Sequence, residues 1–254
     1  MVHYTPDADR SAQGEPQHMP GLRTHVIAVH SGLLAAVRPA HAGLYTEPAG
    51  TGRVWALQAK YTLDKVMALL LILLFLPCLL FIALAVKLQD GGPVFFRQLR
   101  YGQGGHPFTV LKFRTMRYDS QDPLGRQQTA RGDDRVTRLG RILRRTSIDE
   151  LPQLINVLFG DMSLVGPRPH PLGMQIDGRL LPDAVPHYLQ RYGVRPGITG
   201  WAQVNGNRGA VDTKEHLLRR LECDLYYAEN WSLWLDARIL ARSMPVVFFD
   251  KNAY

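Results

Sequence analysis

Two carboxylates stand side by side at Asp149 and Glu150, in the stretch Ser147-Ile-Asp-Glu-Leu-Pro152, directly after Arg144 and Arg145. An ionised Asp can attack phosphorus and form an acyl phosphate, which divides a difficult transfer into two easier steps. Carboxylate and phosphate repel each other, so this chemistry needs cations nearby. Arginine forks match phosphate oxygens, and a hard ion such as Mg2+ accepts oxygen ligands and screens the charge. Ser147 and Glu150 also have the spacing of a capping box, in which case the pair only opens a helix. Pro152 complicates that alternative, because proline prefers the first helical position. Either way the two carboxylates lie near a helix start, where the positive end of the dipole favours anions.

An adjacent Asp-Glu pair is common on surfaces, so its chemistry is judged from what surrounds it. From Arg97 to Arg145 there are twelve Lys or Arg and four Asp. That local excess of eight equals the net charge of the whole chain, +8 over 254 residues. The basic field is either a solvated face held against anionic lipid or a floor for phosphate groups, and one surface can serve as both. Downstream, prolines flank Arg168 in Gly166-Pro-Arg-Pro-His170 and fix the backbone that presents it. In Arg195-Pro-Gly-Ile-Thr-Gly-Trp201-Ala-Gln203-Val-Asn205-Gly206, the glycines permit close backbone approach, to a ligand or within structural turns. Lys112, Arg114, Arg145, Arg168 and Arg195 are the candidate phosphate-binding residues, with Thr199 and Gln203 beside them as substrate-binding candidates.

These groups must be held at a membrane. Val66 to Val86 is a run of 21 residues without charge, and a spanning helix needs roughly 20. Pro77 sits near its middle and predicts a break, since proline removes a backbone hydrogen bond and clashes one turn back. Lys60 and Lys65 precede the run, and Lys87 and Arg97 follow it. Basic flanks favour the cytoplasmic side. A straight span strands one flank outside, whereas a helix that enters, bends at Pro77 and returns keeps both inside; physics alone leaves both open. Pro93–Leu99 and His106–Arg114 are β-prone runs around a Gly-rich turn and predict a hairpin. Leu217–Phe249 is helical in pattern, and Trp231, Trp234, Arg238 and Arg242 suit a helix at the membrane interface. Residues 1–54, rich in Gly, Pro, Ala and His, predict a disordered tail, with only a faint signal-peptide pattern at Val26–Val37. Two distant cysteines, Cys78 and Cys223, imply no disulfide framework and a cytoplasm-facing protein.

From Lys60 to the end, several long motifs occur in order: Lys60 with Asp64, the apolar run broken at Pro77, GGPVFFRQLRYGQGGHPFTVLKFRTM, DDRVTRLGRILRRTSIDELPQLINVLFGDMSLVGPRPH and RPGITGWAQVNG. This pattern resembles the bacterial monotopic polyprenyl-phosphate phosphoglycosyl transferases. The resemblance implies an α+β, mostly helical fold: a re-entrant membrane helix-break-helix at 66–86, a β-hairpin, and interfacial amphipathic helices around a small cytoplasmic catalytic core over 55–254. It implies a bacterial inner-membrane location and Mg2+ as cofactor, with Asp149 and Glu150 as its candidate ligands. Asp149 is the implied nucleophile, with Glu150 beside it. A UDP-sugar would give its phosphosugar to Asp149 and release UMP, and undecaprenyl phosphate would then accept the group. The C-terminal third looks most like the branch that primes exopolysaccharide synthesis with glucose-1-phosphate from UDP-glucose; UDP-galactose or a UDP-N-acetyl sugar is the alternative donor. Larger members of that branch begin with spanning helices and an extra domain, so the expectation is the catalytic unit alone. Inner-membrane lipid is an expected partner, nucleic acid is not, and a homo-oligomer stays open. The distant alternative is a non-enzymatic basic protein at the membrane surface.

Overall fold

The computed structural model describes residues 51–130, 132–211 and 213–249. The tail expected over residues 1–54 lies outside them as far as residue 50. Residues 51–54 depart from that expectation and open the first helix, α1, Thr51–Asp90. The reason is tertiary: the Arg53 guanidinium donates to the carbonyl of Ala228 and Leu57 is buried in the core, so helix continues upstream of the apolar run.

The forty residues of α1, with Pro77 inside, are long and apolar enough to cross a membrane. At 1.5 Å per residue the helix is roughly 60 Å long. Its two halves are packed differently. Leu57 and Ala68, with Tyr61, Leu71 and Ile72, join the main core beside Val110, Leu154, Met162, Tyr227 and Ile239. Ile82 and Val86 join a smaller core with Phe113 and Leu143. Between them, Leu73 to Cys78 are exposed on every side. Polar pins hold both halves. Lys60 Nζ lies 2.6 Å from Asp236 and 3.3 Å from Asp64, and Asp64 accepts from Ser163 Oγ at 2.5 Å. Lys60 and Asp64, four apart, share one helix face. At the far end Arg114 is buried: Nε donates to the Pro93 carbonyl at 2.6 Å and the fork engages the Asp90 carboxylate.

Beyond α1 the described residues mix helix and strand, with three two-stranded sheets among them. Strands β1 (Phe95–Tyr101) and β2 (Pro107–Phe113) pair antiparallel, with Phe96 opposite Lys112 and Gln98 opposite Val110. Helix α2 (Arg138–Arg145) is capped by Thr137, whose side chain accepts from the Gly140 N–H. A 3-10 turn at Ile148–Glu150 leads into α3 (Gln153–Phe159). Strand β3 (Ser163–Val165) pairs in parallel with β6 (Gly197–Thr199). Between them lie the small ribbon β4–β5 (Gln175–Ile176, Arg179–Leu180) and the short helix α4 (Leu181–Ala184). Helix α5 (Trp201–Val204) follows. The helical pattern over Leu217–Phe249 resolves into two helices, α6 (Lys214–Asn230) and α7 (Leu233–Phe249). Trp231 is extended (φ −55, ψ 135), and Ser232 Oγ accepts from the Leu235 N–H at 3.1 Å, capping the second helix.

Candidate active site

Alternation along β1 turns Phe96, Gln98 and Arg100 to one face, and Lys112 on β2 joins them. That face floors a cleft of about 290 Å³. Its walls are Arg144 at the end of α2, the 149–150 pair, Arg168, the segments around 122–129 and 208–211, and Arg220 from α6. Gly140 explains how α2 comes so close: a Cβ there would sit 2.1 Å from the Thr115 carbonyl oxygen. One turn on, Arg144 Nε donates to Thr115 Oγ1 at 2.8 Å.

The two carboxylates have separate surroundings. Glu150 is engaged on both oxygens: Lys112 Nζ is 2.7 Å from Oε1, Arg168 reaches Oε2 at 3.1 Å, and its second nitrogen contacts Oε1. Burial alone would raise its pKa, but Arg168 and Lys112 hold it well below the usual carboxylate range. Asp149 is 7% exposed and, among the described residues, accepts no hydrogen bond. Burial pushes its carboxyl up to about 6; neighbouring Glu150 adds to the rise, while Lys112, Arg144 and Arg168 oppose it. The capping box does not form. Ser147 is left-handed at φ 56 with no cap hydrogen bond, and its Oγ accepts from Arg208 at 2.8 Å. Glu150 thus pairs with the cations that flank the cleft, while the Asp149 carboxylate beside it is buried with a raised pKa.

The loop carrying Arg168 is rigid. Gly166, Gly197 and Gly200 let two backbones meet: a Cβ on Gly197 would lie 2.1 Å from the Gly166 nitrogen, and one on Gly200 2.2 Å from its oxygen. These two glycines therefore serve strand-to-strand contact. Arg191 donates to the Arg168 carbonyl at 3.0 Å and Arg100 to the Pro169 carbonyl at 2.7 Å. His170, pressed by burial and by Arg191 and Arg220, has a pKa well below its usual value and is neutral.

The model of the family described as bacterial sugar transferase matches residues 55–250. The chain belongs to the bacterial sugar transferase family. Relatives include a UDP-glucose:undecaprenyl-phosphate glucose-1-phosphate transferase of Caulobacter vibrioides, 52% identical over 77% of this chain and 72% of that protein. An undecaprenyl-phosphate glucose phosphotransferase of Komagataeibacter xylinus is 48% identical over 79% of this chain but 38% of its own length. A UDP-N-acetylgalactosamine-undecaprenyl-phosphate N-acetylgalactosaminephosphotransferase of Aeromonas hydrophila is 42% identical over 76% of this chain and 44% of its own length. The chain thus spans less than half the length of two of these three relatives.

Of the residues singled out from the sequence, the fold brings together Asp149, Glu150, Lys112 and Arg168. The others lie elsewhere. Arg114 clamps the end of α1, and Arg145 is exposed, one residue out of phase with the cleft-facing Arg144. Arg195 stacks on Tyr61, 4.0 Å from the ring centroid. Thr199 Oγ1 shares a hydrogen bond with Ser243 Oγ at 2.6 Å, and Gln203 donates to the Ile198 carbonyl at 3.1 Å. Arg100, Arg144, Arg208 and Arg220 line the cleft although the sequence reading did not select them. Among the described residues no three His, Cys, Asp or Glu converge as metal ligands. Mg2+ commonly takes one or two protein carboxylates and completes its shell with phosphate oxygens and water. Asp149 fits that sparse donor set; Glu150, whose oxygens are engaged by Lys112 and Arg168, could join it only through a remaining lone pair.

Proposed function

We propose that this sugar transferase moves a hexose-1-phosphate, glucose-1-phosphate from UDP-glucose, onto undecaprenyl phosphate and so primes exopolysaccharide synthesis. The observation that carries the proposal is Asp149: a buried carboxylate with raised pKa and, among the described residues, no hydrogen bond, facing a cleft in which Lys112 and six arginines outnumber the other carboxylates, Asp122 and Glu150. Asp149 Oδ attacks the sugar-bearing phosphorus of the donor. The bridging P–O bond breaks and UMP leaves with the bridging oxygen. A phosphate oxygen of undecaprenyl phosphate then attacks the phosphorus of the acyl phosphate, and the Asp149 carboxylate is released as the lipid diphosphate sugar forms. Lys112, Arg144 and Arg168 stabilise charge on the transferring group. Asp149, with Glu150 beside it, would hold Mg2+, which would supply further neutralisation of the diphosphate. The Aeromonas relative's name makes an N-acetylated donor the second reading.

The proposed seat is the cytoplasmic leaflet of the inner membrane, with α1 re-entrant. Both halves of α1 pack on the same catalytic unit, through Lys60–Asp236 on one side of Pro77 and Arg114–Asp90 on the other. A polar unit of this kind cannot sit on both faces of a bilayer about 30 Å thick. The bare stretch Leu73–Cys78 is then the tip that enters the lipid. Trp234, 78% exposed at the start of α7, suits headgroup depth.

The test is UMP release from a panel of UDP-sugars, with and without undecaprenyl phosphate. UDP-glucose should turn over fastest, giving one UMP per enzyme without acceptor and many with it. No UMP from any UDP-sugar would end the proposal, and a faster N-acetyl donor would shift the sugar.

A further inference from the structure

We propose that Lys65 and Arg195 form a binding site for the phosphate of a membrane lipid, at the rim where α1 enters the bilayer and apart from the Asp149 cleft. Neither residue lines that cleft. Lys65 is the last charged residue before the uncharged run Val66–Val86, so it stands at headgroup depth.

The two cations converge over a residue without a side chain. A Cβ built on Gly160 would lie 3.5 Å from Lys65 Nζ and 3.5 Å from Arg195 NH1, so these nitrogens are at most about 7 Å apart, a gap a phosphate can bridge. Gly160 has φ +93, a conformation that favours glycine and keeps the space open. Among the described residues, neither cationic group makes an ion pair or a side-chain hydrogen bond. Tyr61, one turn before Lys65 on the same face of α1, orients Arg195 without neutralising it. The ring lies under the guanidinium, and the Arg195 N–H donates to the Tyr61 hydroxyl at 3.2 Å. Two cations held close without an anion repel each other, and a bridging phosphate removes that cost.

The surroundings are those of a lipid. Phe159, immediately before Gly160, is 76% exposed, and Val66 and Met67 beside Lys65 are exposed too. The plain alternative is that the cations only complement the carbonyl end of α3. Against it, the Asn156 and Val157 carbonyls already accept from the Gly160 N–H at 3.0 Å, and that of Asn156 also from the Asp161 N–H at 3.0 Å. A phospholipid headgroup and the phosphate end of an isoprenoid share the recognised chemistry.

Native mass spectrometry of the full chain, released from neutral detergent, tests the site with phosphatidylglycerol, polyprenyl monophosphate or phosphate-free diacylglycerol added. The wild type should retain one phosphate lipid, and K65Q/R195Q should bind it at least tenfold more weakly. R138Q/R141Q removes the same charge from exposed positions on α2 and should bind like the wild type. K65E places a carboxylate beside Arg195, which keeps the fold and should leave the site empty of lipid. Retention of phosphatidylglycerol that polyprenyl monophosphate cannot displace assigns a resident phospholipid; displacement assigns the isoprenoid. Undiminished retention in K65Q/R195Q or K65E overturns the site, as does an equal loss in R138Q/R141Q. The readout involves no turnover, so failure here leaves the proposed reaction untouched.

Discussion

Asp149→Asn should make the protein inactive and more stable together. The Asp149 carboxyl is raised from 3.8 to about 6 in the folded protein, chiefly by burial. At about 1.4 kcal/mol for each pH unit, keeping it ionised at neutral pH costs the fold about 3 kcal/mol. The sign follows from linkage. Below pH 4 the group is protonated in both folded and unfolded states, and nothing is lost. As pH rises towards about 6 the unfolded chain releases its proton first, and the folded state loses stability; above about 6 the loss is constant. Asparagine mimics the neutral acid at every pH. The variant should therefore match the wild type near pH 4 and exceed it at pH 7 by up to about 3 kcal/mol, roughly 5–10 °C in Tm for a domain of this size. Thermal unfolding in detergent between pH 4 and 8 measures this. A variant no more stable at pH 7, or equally stabilised at pH 4, would refute the electrostatic argument.

Arg168→Lys keeps the charge but loses the two-pronged hold on Glu150. The loss of a charged hydrogen bond should lower kcat/KM by roughly 10–100-fold, and wild-type kinetics in the Lys variant would reduce Arg168 to a plain surface charge. Arg114→Gln removes the buried partner of Asp90. It should cost about 1–3 kcal/mol of stability through the lost charged hydrogen bonds, since the Asp90 left behind is exposed to water, while leaving the KM for UDP-sugar unchanged in the folded enzyme; a raised KM with normal stability would place Arg114 at the substrate instead. Pro77→Leu should straighten α1 into a spanning helix, move the tail outside and abolish activity. Membrane-impermeant labelling of a single cysteine near Gly50, in a background lacking Cys78 and Cys223, reads this directly. Labelling of the wild-type tail from outside intact cells would contradict the re-entrant topology.

The apolar run of α1 and the four residues Asp149, Glu150, Lys112 and Arg168 were legible because composition and local motif mark them. What the chain alone hides is phase and long-range contact. Arg144 rather than Arg145 faces the cleft because it shares a helix face with Gly140, which packs on Thr115. A glycine four residues before an arginine was the available signal. Arg114 reads as one more member of a basic field, yet its guanidinium is spent on Asp90, 24 residues upstream. Nothing local marks Arg220, whose NH2 donates to the Asn207 carbonyl at 2.6 Å and whose NH1 faces His170 at 3.2 Å. The glycines of the Arg195–Gly206 motif were visible, but only the fold shows that Gly197 and Gly200 receive another strand.

The central claim is that Asp149 carries the phosphosugar between donor and acceptor. Intact-protein and peptide mass spectrometry of the wild type, incubated with UDP-glucose and Mg2+ without undecaprenyl phosphate, tests it most directly. The expected result is one hexose-phosphate adduct on the peptide containing Asp149, absent from Asp149→Asn and discharged when undecaprenyl phosphate is added. An adduct on another residue, or turnover retained by Asp149→Asn, would contradict the account.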